Sequence, residues 1–80
     1  MRFDLATQNK WTRGASIDGV HFSMRQAVTV VAGPHDGKVG ELLSLFDLKP
    51  EPVFHLETSG GEDVYVRQSE IYPRQPASQM

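Results

Sequence analysis

The stretch Gln26-Ala27-Val28-Thr29-Val30-Val31-Ala32-Gly33-Pro34-His35-Asp36-Gly37-Lys38-Val39-Gly40-Glu41-Leu42 decides how this chain folds. Its first half, Ala27 to Ala32, is β-branched and alternates. Val28 and Val30 fall on one side and Thr29 and Val31 on the other, so the segment reads as a mostly buried strand. Gly33 to Gly37 is a turn by composition. Pro34 fixes φ, and glycine supplies the positive φ that a tight reversal uses. Gly33, Pro34, Gly37 and Gly40 thus read first as loop geometry.

Working outward, Val39 to Phe46 fits two templates. Leu42, Leu45, Phe46 and Leu48 make a helical stripe, whereas Val39, Leu43 and Leu45 have strand spacing. Gly40 and Pro50 confine any helix to about two turns, which is marginal without strong packing, so a strand is expected. Val53 to Glu57 alternates as another strand. Thr58-Ser59-Gly60-Gly61-Glu62 is a hairpin connection, and Asp63 to Arg67 returns. Gln68 to Ile71 reads as a single turn, with Ile71 capping the core and residues 73–80 forming a flexible tail. Residues 1–25 are less regular. They read as an extension packing on the 26–72 domain, with an edge strand and a covering loop. Short segments punctuated every 8–12 residues indicate an all-β fold, a small barrel or sandwich.

The chain has 80 residues and no cysteine. That length fits one small domain, and the missing thiols exclude disulfides, thiolate zinc sites and cysteine nucleophiles. Uninterrupted apolar runs reach only three residues, too short to span a membrane, and Arg2 and Asp4 break any secretion signal. A cytoplasmic location is the default expectation. The formal net charge is −2, unevenly spread. Residues 1–40 carry five cations against three carboxylates, and residues 41–80 carry three against seven. A weakly basic half therefore faces an acidic one, without the continuous basic stripe of a dedicated nucleic-acid binder.

The 26–42 stretch resembles the KOW motif. There a polar residue and an alternating V-x-V lead into a loop of the form G-x-x-x-G-K-x-G and a second strand. The match runs through Gly33, Gly37, Lys38 and Gly40. The later double-glycine hairpin and Val64-Tyr65-Val66 look like the rest of an SH3-like barrel. The resemblance implies a small SH3-like barrel of about five strands with an N-terminal extension. It also implies a loop that contacts RNA or a protein partner.

Catalytic chemistry finds no footing. Gly33 to Val39 has three residues between its glycines where a P-loop has four, and Val39 offers no hydroxyl for magnesium. His21, His35 and His55 are too dispersed for a metal motif. No G-x-S-x-G surrounds a serine, and Glu62-Asp63 beside two glycines reads as a solvated turn. Neither an enzyme, a metal site, a cofactor nor a small-molecule substrate is expected.

Binding remains. Lys10, Trp11, Arg13, Arg25, His35 and Lys38 are the candidate contact residues, since aromatic stacking flanked by cations holds single-stranded nucleic acid on small β modules. The plainer reading of Trp11 is a lid on the core, and of Arg13 and Arg25 solvated charge. The first expected function is a non-catalytic module contacting RNA or a ribonucleoprotein through residues 33–40. The second is an adaptor or inhibitor that engages a protein through the acidic 41–70 surface, with Glu57, Glu62 and Asp63 as contacts.

Overall fold

The computed structural model describes residues 5–74. It is mostly strand. After helix α1 (Leu5–Thr12) come β1 (Ala27–Val30), β2 (Val39–Asp47), β3 (Val53–Thr58) and β4 (Asp63–Arg67). A single 3-10 turn at Gln68–Glu70 leads into β5 (Ile71–Pro73). The five strands form one antiparallel sheet in the order β4-β3-β2-β1-β5. The chain meanders through four strands and then crosses back to lay β5 against β1. No ladder joins β4 to β5, so the sheet is open and not a closed cylinder.

Residues 39–47 are indeed a strand, and the reason for their mixed periodicity is visible. The β2–β3 register slips between Leu42 and Ser44 and again between Leu45 and Asp47. Each slip is a β-bulge, which inserts a residue and bends the strand. The first bulge lets Leu42 and Leu45 both face the core, at a spacing of three that mimics a helix. With the phase shifted by that bulge, alternation after Leu45 puts Phe46 on the outer side.

The core comprises Trp11, Val28, Val30, Leu42, Leu45, Phe54, Leu56, Val66 and Ile71. Each such side chain removed from water contributes about 1.5–3 kcal/mol. Every strand supplies at least one, so the bent sheet wraps a single core. Phe54 sits at its centre, with ring centroids 5.6 Å from Trp11 and 5.9 Å from Phe22. At Gly40 the backbone of β2 lies close against that of β3. A Cβ there would stand 2.8 Å from Thr58 Cα and closer still to the Glu57 carbonyl oxygen, so no larger residue fits without parting the strands.

Three expectations change. Among the described residues the N-terminal segment contributes no edge strand. It forms α1, which ends in paired bonds from Gly14 N–H to Trp11 O and from Ala15 N–H to Lys10 O, each 3.0 Å. The helix is docked by two side chains. Gln8 Nε2 donates to Leu45 O at 3.1 Å, and Trp11 Nε1 donates to Phe22 O at 2.8 Å. Val31, expected inside a buried strand, lies beyond β1 and is 48% exposed. Residues 73 and 74, expected in the tail, are paired instead. Pro73 pairs with Val28, and Arg74 N–H donates to Ala27 O at 2.9 Å. The rest of that tail lies outside the described residues, as do residues 1–4 of the extension.

Candidate functional site

The 33–40 loop is the corner between β1 and β2. Val30 N–H bonds to Lys38 O and Gly37 N–H to Val30 O, each at 2.8 Å, which closes the turn. Gly33 has φ +85°, a region that side chains disfavour, and the Glu70 carboxyl group lies against its Cα, with Cδ 2.7 Å from where a Cβ would be. Val31 N–H donates to Glu70 O at 2.7 Å, so the 3-10 turn braces this loop. The loop's one cation is engaged. Lys38 Nζ lies 3.1 Å from Glu62 Oε1 in the β3–β4 hairpin.

The other five sequence candidates are scattered. Lys10 and Arg13 are exposed at the end of α1, His35 is half-buried in the loop, and Arg25 precedes β1. Among the described residues no side-chain hydrogen bond or ion pair joins any two of the six. Trp11 is 2% exposed and fills the core, so it presents no face to a nucleobase. Arg25 has φ +68°, uncommon for a residue with a Cβ. Its N–H donates to Leu42 O while Leu42 N–H donates to Gln26 O, so two residues oppose one and a bulge starts the ladder. Its Nε stands 3.7 Å from Glu41 Oε1.

A different surface stands out. On the outer face of β2, β3 and β4, Phe46 and Tyr65 are 50% and 55% exposed, and their rings meet at 4.6 Å. His55, directly opposite Tyr65, stacks at 5.6 Å on its ring. Beside them runs a row of carboxylates. Glu41 pairs with Glu57 and Glu57 with Asp63, so three acids cross the sheet in register. Like charges directly opposite one another destabilise a sheet. Arg25 stands beside Glu41, with Nε 3.7 Å from Oε1, and His55 Nε2 lies 3.1 Å from Asp63 Oδ1. Among the described residues no His, Asp and Glu cluster is arranged to hold a metal ion.

Sequence reasoning named Glu57 and Asp63 of this face but not Glu41, and it missed Phe46, His55 and Tyr65 as a group. The alternation of Tyr65 with Val64 and Val66 signalled its outward direction. Phe46 gave no such signal, because the first bulge shifts the alternation of β2 ahead of it.

The open depressions are modest. One of about 280 Å³ is lined by Arg25, Gly40, Glu41, Glu57 and Arg74 among others, and one of about 460 Å³ by Phe22, Glu51, Ile71 and Tyr72 among others. Among the described residues no helix is long and apolar enough to cross a membrane. Compared with protein-family models, curated proteins and solved structures, the chain matches none.

Proposed function

We propose that this chain is a non-catalytic protein-interaction module whose outer sheet face receives a basic segment of a partner protein. The observation that carries this reading is the exposed Phe46–Tyr65–His55 cluster alongside the Glu41–Glu57–Asp63 row. Exposed aromatic rings offer apolar area and a negative π face to an arginine or lysine. Adjacent carboxylates accept the same cation, and self-repulsion among them is relieved when it arrives.

We further propose that the fold is of the SH3-like type and related to the KOW family, with its sheet bent over one core and left open. Support comes from the G-x-x-x-G-K-x-G loop standing at the β1–β2 corner and from the last strand returning to pair with the first. The RNA reading through residues 33–40 rests on that resemblance alone. Lys38 is already paired with Glu62, and the neighbouring face is acidic.

Titration of ¹⁵N-labelled protein with a short arginine- and lysine-rich peptide, and separately with a single-stranded RNA of similar length, separates the two. The peptide shifts the amides of Phe46, His55 and Tyr65, and Glu57→Gln with Asp63→Asn weakens it while Lys38→Ala does not. Shifts confined to residues 33–40 on adding RNA, with the sheet face silent to peptide, would overturn the proposal.

A further inference from the structure

We propose that β4 pairs with β4 of a second copy of this chain, antiparallel about Tyr65, to give a two-fold dimer with one continuous ten-stranded sheet. The inference goes beyond the peptide-binding reading and does not depend on it.

β4 ends the sheet, so one of its sides has no strand partner. Which groups face that side follows from the ladder. Thr58 N–H bonds to Glu62 O and Gln68 N–H to Pro52 O, both at 2.8 Å, and the β3–β4 register between them is unbroken. Hydrogen-bonding direction alternates along an antiparallel pair. Residues 62, 64, 66 and 68 therefore face β3, and Asp63, Tyr65 and Arg67 turn their N–H and C=O outward. The Arg67 N–H is taken by Glu70 Oε1 at 3.0 Å. The Asp63 and Tyr65 groups and the Arg67 carbonyl are left to offer.

The sequence of that edge is self-complementary. Asp63-Val64-Tyr65-Val66-Arg67, turned about Tyr65, sets Asp63 of each copy against Arg67 of the other and Val64 against Val66. Opposite charges fall on opposite positions twice, as a two-fold interface requires. The register also places Tyr65 in a hydrogen-bonding position facing its equivalent. The Val64–Val66 contacts extend the core side of the sheet, and the two Phe46–Tyr65 clusters meet on its outer side. The other edge lacks these features. β5 has three residues and carries Pro73, which cannot donate to a ladder. β4 carries no proline and no lysine.

Pairing along five residues buries little area, so the dimer is a weak one with Kd of about 10–1000 μM. The test is sedimentation equilibrium of the full chain across that range, with circular dichroism to verify folding. Asp63→Arg alone and Arg67→Asp alone each set like charges opposite one another and weaken dimerisation at least about tenfold. The double exchange Asp63→Arg with Arg67→Asp restores it. Tyr65→Pro, which removes an outward N–H and the ring but no N–H that bonds to β3, abolishes it while β3–β4 pairing remains, and Tyr65→Ala, which removes the ring alone, does not abolish it. A wild-type chain that stays monomeric at about 1 mM, or a dimer indifferent to the single reversals, overturns the proposal.

Discussion

Replacing Trp11 by alanine separates a core residue from a contact residue. Trp11 is 2% exposed, stacks on Phe54 at 5.6 Å and donates to Phe22 O at 2.8 Å. Truncating a buried aromatic of this kind costs about 3–5 kcal/mol. A domain of this length has total stability of about 4–12 kcal/mol, so the change removes a large share of it. For a chain of this size each kcal/mol lowers Tm by at least about 4 °C, so Tm falls by at least about 12 °C. Trp11→Phe keeps the ring contact but leaves the Phe22 carbonyl without its donor, at about 1–3 kcal/mol. Urea unfolding followed by far-UV circular dichroism measures both variants. Dichroism is the suitable probe because Trp11 is the chain's one tryptophan and its fluorescence goes with it. Amide exchange in α1 accelerates with the alanine variant, since that side chain is one of two docking the helix. A cost below about 1 kcal/mol for Trp11→Ala would refute the assignment of Trp11 to the core.

Other perturbations follow from the same geometry. Gly40→Ala drives a methyl group into the Glu57–Thr58 backbone and costs about 1–3 kcal/mol or more by denaturant titration. Lys38→Ala breaks an ion pair whose side chains are 41% and 62% exposed, so stability changes by no more than about 1 kcal/mol in thermal melts. Tyr65→Ala leaves urea stability within about 1 kcal/mol, because this ring is on the surface, yet removes the amide shifts caused by a basic peptide. Arg25→Gly is tolerated at φ +68°, whereas Arg25→Val costs about 1–3 kcal/mol, since a β-branched residue fits that backbone poorly.

The local sequence determined the strands and their connections. Alternating valines specify β1, and Gly60-Gly61 and Gly33 to Gly37 reverse the chain at predictable places. Gly40 and Pro50 bracket a segment too short to persist as a helix. These features act through backbone sterics over a few residues, so periodicity reports them. The tertiary structure decided the rest. The α1 sequence has little amphipathic character, and only Trp11 of its side chains is buried. Its place is fixed by bonds to Phe22 and Leu45, residues 11 and 37 positions away in the chain. The bulges in β2 arise from how it pairs with β3, and the phase change at the first of them puts Phe46 on the same face as Tyr65. The row of Glu41, Glu57 and Asp63 exists only through cross-strand register. Contacts between distant segments leave no period in the chain, which is why the aromatic and acidic outer face appears only once the sheet is assembled.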